Sequence, residues 1–298
     1  MVELERRVLF RSALVTVTDV RCRATDRRCG REETSTAHQL VFTRSGVFVK
    51  HVSGARVVAD PTHALFFNAG QPYQVSHPAD HGDECTSLTF AGPTIQEVVR
   101  QVTSSSREHP DEPFPWTHRR LAPGSQIALH RLRQALRDPG PEALRIDEGA
   151  LEVLDRALRG ASAGGQTLMR TRDGRALRAR RAQVEAVRER LAARPEAKPS
   201  LEELARAVAC SPFHLTRTFR EVTGLPVHQH LLRLRLGLAL ARLADGERNL
   251  TWLALDLGFC SHGHFTTAFR RAFGTPPSSL RRTLTGGRLR QLRKNVEA

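Results

Sequence analysis

The sequence lacks any apolar run that approaches the roughly 20 residues of a membrane-spanning helix, and no signal-peptide pattern precedes its first predicted strand. We therefore expect a cytoplasmic protein without a membrane partner. Glycine-rich phosphate loops are missing too, as is a nucleophile with a recognisable base, which argues against the common nucleotide-dependent and hydrolytic enzymes. At 298 residues the chain has the length of about two domains, each with its own core.

Cysteine is scarce and scattered. Five cysteines in 298 residues are too few for a disulfide framework. Cys22 and Cys29 lie close enough along the chain to form a disulfide, bind a metal or sense oxidants, and they can equally be two incidental thiols.

Lysine is almost absent, since three of the 46 basic residues are lysine and the rest are arginine. A GC-rich genome can produce this bias, so the distribution of charge is more informative than its total. Residues 1–120 carry 15 basic and 14 acidic groups, whereas residues 121–298 carry 31 and 17. A net charge near +14 in the second half is what neutralisation of nucleic-acid phosphates requires.

Residues 1–120 contain short apolar segments with turn signals every 8–12 residues, a rhythm typical of an antiparallel barrel or sandwich. The predicted strands are Leu14–Val20, Gln39–Thr43, Val47–Val52, Arg56–Ala59, Ala64–Phe67, Tyr73–His77 and Thr86–Phe90. Four prolines between Pro110 and Pro123 mark the exit from this zone. We expect an α+β protein whose sheet-rich part ends near residue 120.

A helical connector is predicted next, over residues 121–181. Apolar residues recur at three- and four-residue spacing in Gln126–Arg137, Pro141–Arg159 and Arg175–Ala193. The leucines of the first two helices exceed what a linker needs and indicate a homodimer contact, although packing against the chain's own sheet is the alternative. Arg170–Arg181 holds six arginines and is either a solvated linker or a helix lying over phosphates.

The most informative pattern is a repeat fifty residues apart in the second half. Ser211–Arg220, followed by Gly224, matches Ser261–Arg270, followed by Gly274. A fixed-period repeat indicates two copies of one structural unit. In each copy serine has the position of a helix N-cap and glycine that of the helix end, while an apolar pair faces inward.

The outer face of each repeated helix is small, hydrogen-bonding or cationic, and we expect nothing acidic there. Such a helix can enter the major groove, because Thr and His meet base edges and Arg can fork onto a guanine. A short helix precedes each copy, the first capped by Ser200, so each copy is a helix-turn-helix. Between them, Val227–Ala244 carries apolar stripes on two faces and is predicted to be a linker helix buried between two lobes.

Residues 182–285 resemble the DNA-binding domain of AraC/XylS-type transcriptional regulators. The resemblance rests on Leu204-Ala205, Arg235-Leu236 with Ala239, Leu253-Ala254, Gly258-Phe259, Phe265, Phe269, Phe273-Gly274, Pro276-Pro277 and Arg281. It implies that outward residues of both repeated helices contact DNA, namely Pro212, Phe213, Thr216, Arg217, Arg220, His262, Gly263, His264, Thr266, Thr267 and Arg270. Where many relatives have long polar side chains this sequence has Gly263 and Thr267, so the second helix is expected to position more than to read.

The same resemblance implies a regulator that binds double-stranded promoter DNA, with RNA polymerase as a partner. We expect an activator, although the sequence leaves open whether transcription rises or falls. Residues 286–298 are predicted to be a basic tail. Residues 1–120 resemble the cupin-like effector-binding domain of such regulators, which binds a small molecule. That looser likeness rests on Asp60-Pro61, Phe66-Phe67, Gly70, Tyr73, His77-Pro78 and Gly82-Asp83.

A metal-dependent cupin enzyme, or a metal or thiol sensor, is the rival interpretation. Cupins often hold a metal through a His-x-His pair, but residues 1–120 contain none. The pairs His228/His230 and His262/His264 are expected on the linker-helix surface and the groove-facing surface. His77, His81, Asp83 and Cys85 can form a site, and a polar loop explains them equally well. We expect no metal, no cofactor and no catalytic residue.

Overall fold

The computed structural model describes residues 4–24, 28–79, 81–102, 111–138, 140, 142–160 and 174–285. In the first part of the chain the strands form two antiparallel sheets, ordered β1-β2-β9-β4-β7-β10 and β3-β8-β5-β6. Their bounds are β1 Leu4–Arg11, β2 Val15–Cys22, β3 Glu33–Thr34, β4 Gln39–Ser45, β5 Phe48–Val52, β6 Ala55–Ala59, β7 His63–Phe67, β8 Pro72–Ser76, β9 Asp83–Phe90 and β10 His118–Arg120. The predicted antiparallel architecture is confirmed, and we call residues 4–120 the sheet domain.

Helices make up the rest of the described chain. Their bounds are α1 Gly92–Val102, α2 Pro123–Ala135, α3 Ala143–Leu158, α4 Arg175–Ala193, α5 Leu201–Ala207, α6 Pro212–Thr223, α7 Val227–Ala244, α8 Leu250–Asp256, α9 His262–Phe273 and α10 over 277–285. Within the described ranges, none of these helices has the length and apolarity needed to cross a membrane. The predicted boundary between residues 181 and 182 falls inside α4, and the predicted tail from residue 286 lies outside the described residues.

Three apolar layers organise the sheet domain. The space between the sheets is filled by side chains of both, including Phe48, Val52 and Phe67. The outer face of the first sheet is covered by α1, α2 and α3. The outer face of the second sheet packs against α4 and the helices that follow, so that Val49 and Val58 share one cluster with Val184 and Phe219. The sheet domain and the first helix-turn-helix therefore have a common core.

The leucines of the connector helices pack against the chain's own sheet. Leu129, Leu132, Leu154 and Leu158 are buried in the cluster that holds the outer face of the first sheet. Leu144, by contrast, is 62% exposed. The buried leucines from which a subunit contact was predicted are thus covered by residues of the same chain. Packing against the chain's own sheet, the alternative for these leucines, is therefore what the structure supports, because sequence periodicity shows that a face is buried and not what buries it. A homodimer stays a prediction.

The two apolar stripes predicted for the linker helix α7 are confirmed. Leu234 of the first stripe belongs to the cluster of the first helix-turn-helix, with Val227 and Leu231 packed against it. Leu236 and Leu240 of the second stripe belong to the cluster of the second. One helix therefore divides two small cores, which is why its polar positions are so few.

Candidate nucleic-acid interface

Both repeated helices, α6 and α9, begin and end as the repeat predicts. The Ser211 hydroxyl accepts a hydrogen bond from the backbone N–H of His214 at 3.2 Å, and the Ser261 hydroxyl accepts one from His264 at 3.1 Å. Each helix stops at a glycine in the left-handed region, with φ of 72° at Gly224 and 75° at Gly274. Residues that carry a side chain rarely adopt this backbone conformation, so the glycine determines where each helix ends.

The turn before each of these helices differs by one residue. Ala209 and Gly258 both have positive φ, 51° and 79°, and both follow the end of the short helix. Only Cys210 separates Ala209 from the cap Ser211 in the first copy, whereas Phe259 and Cys260 separate Gly258 from Ser261 in the second. A side chain at Gly258 would place Cβ 2.4 Å from the carbonyl oxygen of Glu196, so the second turn requires glycine.

The structure places every candidate DNA-contacting side chain at or near the surface. Phe213 is 79% exposed at the first turn of α6, although a phenylalanine is normally buried. Pro212 and Thr266 are half-buried, and the other candidates on the two helices are exposed. Leu215, Phe219, Phe265 and Phe269 point the opposite way, into the two cores. We call α6 and α9 the reading helices.

One acidic residue lies on the face that was expected to carry none. Glu221, near the C-terminal end of α6, is exposed and accepts a hydrogen bond from Arg217 Nε at 2.8 Å. That hydrogen bond lowers the pKa of the Glu221 carboxyl. The expectation was wrong because the repeat comparison stopped at Arg220 and its counterpart. The hydrogen bond engages Arg217 Nε and holds a negative charge beside its guanidinium.

Sequence comparison places the second half of the chain in a known family. Residues 204–283 match the family model of a helix-turn-helix domain. Over 82 residues the chain is 38% identical to the transcriptional activator RhaS of Escherichia fergusonii, covering 28% of this chain and 30% of RhaS. Over 85 residues it is 34% identical to the regulatory protein SoxS of Salmonella typhimurium, covering 28% of this chain and 79% of SoxS. The chain belongs to the AraC family of transcriptional regulators.

Solved structures give weaker likenesses. An AraC-type regulator from Chromobacterium violaceum aligns with a TM-score of 0.33 at 25% identity, covering 35% of this chain and 92% of that one. ToxT of Vibrio cholerae aligns with a TM-score of 0.34 at 11% identity, covering 90% of this chain and 98% of that one. At such TM-scores neither adds to the assignment. The family alone gives the function class, a helix-turn-helix protein that binds DNA and regulates transcription.

Arg235 of α7 holds the two halves of this AraC-family domain together. Its Nε donates to the carbonyl oxygen of Pro195 at 2.7 Å and its Nη2 to that of Ala197 at 2.8 Å, both in the segment that leads into α5. Its Nη1 donates to the carbonyl oxygen of Gly258 at 3.0 Å, in the turn of the second copy. One guanidinium therefore fixes the relative position of the two helix-turn-helix units.

The arginine-rich start of α4 lies beside the first reading helix. Arg170 and Arg172 fall outside the described residues, but from Arg175 onward the chain is helical. Arg180 is exposed, and its Nη1 is 4.0 Å from Glu221 Oε2. The described part of this segment is therefore helical, and contact with phosphates stays a prediction.

The two His-x-His pairs differ from expectation in one member. His228 is exposed on α7, but His230 is buried, with its ring 5.5 Å from that of Phe219. Burial lowers the pKa of His230 to about 3. His262 and His264 are exposed on α9 as expected, His264 with its ring edge against Phe259. The prediction of a surface position for His230 was wrong because the sheet domain covers that side of α7.

Sequence reasoning missed a group of buried charges between the domains. Asp60, His63 and Arg188 are each almost completely buried where the turn between β6 and β7 meets α4. Glu185 on the same helix accepts a hydrogen bond from the backbone N–H of Val58 at 2.8 Å. Arg188 is 128 residues from Asp60 along the chain, and Glu185 is 127 residues from Val58. No local signal distinguishes such a pair from surface charges.

The structure also resolves the polar loop that was weighed as a metal site. His81 is exposed and is not part of a cluster, whereas Cys22, His77 and Asp83 come together as a buried trio. Cys85 donates a hydrogen bond to Asp83 from the side, at 3.2 Å. Cys29 is exposed and Cys22 is buried, and both are free thiols.

Proposed function

We propose that this AraC-family protein is a sequence-specific transcription factor that reads two successive major grooves with α6 and α9. The observation that carries the proposal is the pairing of two capped, outward-facing helices on either side of one rigid linker helix. The 18 residues of α7 span about 27 Å at 1.5 Å per residue, which suits recognition sites one DNA turn apart, about 34–36 Å centre to centre.

The residues of the first reading helix are assigned mainly to base recognition. Arg217 is exposed near the middle of α6, where a guanidinium can fork onto a guanine. Thr216 and Phe213 flank it, and the Phe213 ring offers an apolar surface for a thymine methyl group. Pro212 and Arg220 complete the set, the latter near the helix end where a phosphate contact is favoured.

The second reading helix is assigned mainly to positioning. Gly263 and Thr267 reach a short distance from α9, so few atoms can reach base edges from there. His262, His264 and Thr266 can donate hydrogen bonds to either bases or phosphates. Arg270, in the last turn of the helix, is assigned to a phosphate.

Selection of tight-binding duplexes from a random library tests this proposal directly. Full-length protein is expected to enrich two short conserved segments separated by about one DNA turn, about 10–10.5 base pairs between centres. Affinity for the enriched duplex is expected to fall steeply as salt rises, because bound phosphates release counterions. Enrichment of no sequence over the starting library would contradict the proposal.

We further propose that a small molecule controls the DNA module by changing how it docks on the sheet domain. The first helix-turn-helix shares its core with the second sheet, and Gly237 of α7 lies against Pro61 so closely that a Cβ there would be 3.2 Å from the proline Cβ. Docking this close means that a shift at the contact is transmitted to the reading helices. A ligand acts on this equilibrium only if it binds one arrangement better than the other.

The cleft between β4, α2 and α7 is where such a ligand is placed. Arg44, Gln126 and His130 line it, together with Gly237. Among the described residues, Arg44 Nε, His130 Nδ1 and the nearby Arg133 Nε have no hydrogen-bond partner although they are buried. The two arginine Nε–H groups are buried donors without partners, and such donors favour an anionic ligand. The cleft has room for about one water molecule, so an organic anion has to move α7 away from the sheet to bind.

A panel of small mono- and dicarboxylates tests the ligand proposal. A carboxylate that raises the melting temperature of the wild-type protein is expected to change its DNA affinity and to lose its effect in Arg133→Met. Arg131→Met, an exposed position on the same helix, is the matched control and is expected to respond like the wild type. A carboxylate that stabilises Arg133→Met equally would place the ligand elsewhere.

A further inference from the structure

Three side chains with metal-binding donors meet at one end of the sheet domain. Cys22 ends β2, His77 follows β8 and Asp83 begins β9. One donor atom from each, the thiol sulfur, an imidazole nitrogen and a carboxylate oxygen, lies within 4.8 Å of the other two. The residues are 7%, 8% and 5% exposed, so the trio is covered on nearly all sides.

Backbone packing fixes this meeting point. Cys22 is paired directly with Asp83 in the antiparallel ladder of β2 and β9, so both side chains leave the same face of the sheet. Gly82 lies so close to Cys22 that a Cβ at Gly82 would be 1.7 Å from the cysteine carbonyl oxygen. Gly46, in the β4–β5 turn, would in turn place a Cβ 2.2 Å from the carbonyl oxygen of Gly82. Three chain segments are thus locked together around the trio.

The carboxylate of Asp83 is arranged to offer one oxygen to the centre of the trio. Cys85 Sγ donates a hydrogen bond to Asp83 Oδ2 at 3.2 Å and keeps that oxygen away from the centre of the trio. Oδ1 lies 3.1 Å from His77 Nε2 and, among the described residues, has no hydrogen bond of good geometry although it is buried. A buried carboxylate oxygen with unused acceptor capacity, aimed at a thiol and an imidazole, points to a cation.

We propose that Cys22, His77 and Asp83 bind a zinc-class divalent cation, with Cys85 as a positioning residue for Asp83. Zinc is bound in proteins by cysteine sulfur, histidine nitrogen and carboxylate oxygen in tetrahedral geometry. Metal–ligand distances near 2.0–2.3 Å put tetrahedral ligand atoms about 3.3–3.8 Å apart, which the trio reaches with small side-chain rotations. Three protein ligands leave the fourth position for water or a further ligand.

The sequence singled out His77 and Asp83 in one candidate site and Cys22 in another, but nothing in it joined the three, and the expectation of no metal followed from that. The cupin pattern places its ligands in a His-x-His pair, whereas this trio uses one residue from each of three segments. Cys22 is 61 residues from Asp83 along the chain, and only the register of β2 against β9 brings them together. The trio lies close to the surface, because Arg23, next to Cys22, and His81, two residues before Asp83, are both exposed.

Metal binding would brace the contact between the sheet domain and the DNA module. The connection from His77 to Asp83 carries Ala79, which is buried in the same apolar cluster as Val184 and Val187 of α4. Fixing both ends of this connection on one cation restrains the surface against which α4 packs. This consequence rests on the proposed function, whereas the metal site itself does not.

Cobalt spectroscopy of the untagged, full-length, metal-free protein tests the site without DNA. Co²⁺ is expected to bind and give a thiolate-to-cobalt charge-transfer band and the visible absorption of tetrahedral Co²⁺, and one equivalent of Zn²⁺ should remove both. Cys22→Ser is expected to lose the charge-transfer band entirely. Cys29→Ser, an exposed cysteine close to it in sequence, is the matched control and should keep the full band.

Asp83→Asn provides a second variant that keeps the shape of the site. Loss of a hydrogen-bonding partner of a ligand already costs roughly 10–100-fold in metal affinity, so loss of a ligand charge should raise the Zn²⁺ dissociation constant by at least that factor. A wild-type protein without a charge-transfer band would overturn the proposal. So would a band that survives in Cys22→Ser, or Zn²⁺ affinity that is unchanged in Asp83→Asn.

Hydrogen exchange separates the metal site from its consequence for the domain contact. Zn²⁺ is expected to slow amide exchange in residues 77–83 of the wild-type protein and in the facing part of α4, and to change neither in Cys22→Ser. Slowing confined to residues 77–83 would leave the site in place and overturn the link to α4. Failure of sequence-specific DNA binding would be seen separately, in the library selection.

Discussion

Arg188 of α4 and Asp60 of the sheet domain form a salt bridge of 2.9 Å with almost no solvent access to either side chain. Arg188 also donates to Glu185 Oε1 at 2.7 Å and to the carbonyl oxygen of Val58 at 3.1 Å. Asp60 accepts from the backbone N–H of Thr62 at 2.8 Å. The helix that leads into the DNA module is therefore tied to the sheet domain by a charge pair that cannot be broken without leaving a buried charge unpaired.

Removing one member of this pair should destabilise the whole protein. Arg188→Met leaves the Asp60 carboxylate buried without its cation, which costs roughly 3–5 kcal/mol in the free energy of unfolding. Urea unfolding of the full-length chain measures it. Arg190→Met, on the exposed side of the same helix, should stay within about 0.5 kcal/mol of the wild type. The double variant Arg188→Met/Asp60→Asn should lose less than the sum of its parts. A fully additive double variant would show that the pair is not coupled.

Stability should also fall with pH below about 6.5. Burial lowers the pKa of His230 to about 3 from the ordinary value of 6.5, so this histidine is neutral when folded and takes up a proton on unfolding in that window. The unfolded state then binds more protons, and each such histidine removes about 1.4 kcal/mol per pH unit as pH falls from about 6.5 towards 3. The charged and titratable groups near it are Asp60, His63, Arg188 and Arg120.

The His230→Leu variant tests this dependence. We compare the slope of the unfolding free energy against pH between pH 7.5 and pH 5. Near pH 5 the slope of the variant should be shallower than that of the wild type, by the amount that corresponds to about one proton taken up on unfolding. His228→Leu changes an exposed histidine two residues away and should keep the wild-type slope. Equal slopes in all three proteins would mean that His230 is protonated in the folded state.

Local signals predicted the helices far better than the contacts between domains. The bounds of α4 and α7 follow from apolar spacing with Pro226 and Ala244 at the ends of the second, and both are observed as predicted. β1 was missed because its residues are mostly exposed and charged, which hides the alternation of a strand. The helix α1 was missed because it stands alone within a zone of strands, where Ile95 and Val99 gave too short a stripe.

In the candidate site, too, the local features were predictable from the sequence and the long-range contacts were not. Serine caps, closing glycines and the inward apolar pairs of α6 and α9 are properties of a few adjacent residues, and the sequence contains them. The salt bridge between Arg217 and Glu221 was also predictable, because the two residues are four apart on one helix and therefore lie on the same face. The Asp60–Arg188 pair and the Cys22 trio depend on strand register and domain docking, which no short stretch of sequence encodes.

Substitutions of Arg217 and Arg270 should affect DNA binding in different ways, the first at one base position and the second on all sequences. Arg217→Ala is expected to cost about 1–3 kcal/mol at one base position and to relax specificity there. Arg270→Ala is expected to weaken all duplexes equally and to reduce the salt dependence by about one counterion. Binding of both variants to a set of single-base operator changes, each at several salt concentrations, separates the two roles. Uniform loss in both variants would remove the distinction between reading and positioning.

Glu221→Gln should strengthen DNA binding without changing stability. The substitution frees Arg217 Nε and removes a negative charge beside the phosphates, while a salt bridge between two exposed side chains adds little to folding stability. Glu148→Gln removes the same charge from the exposed face of α3 and is the matched control. Fluorescence anisotropy with the selected duplex measures both. Weaker binding by Glu221→Gln would show that Glu221 holds Arg217 in its DNA-contacting position.

Footprinting of the full-length protein on its selected duplex tests most directly whether one chain reads two successive major grooves. The account predicts two segments protected from major-groove methylation, about 10–10.5 base pairs apart on one face of the duplex. Arg217→Ala should lose protection in one segment first, and a five-base-pair insertion between them should abolish tight binding, because it places the second segment on the opposite face. A single protected segment, or unchanged affinity after the insertion, would contradict the account.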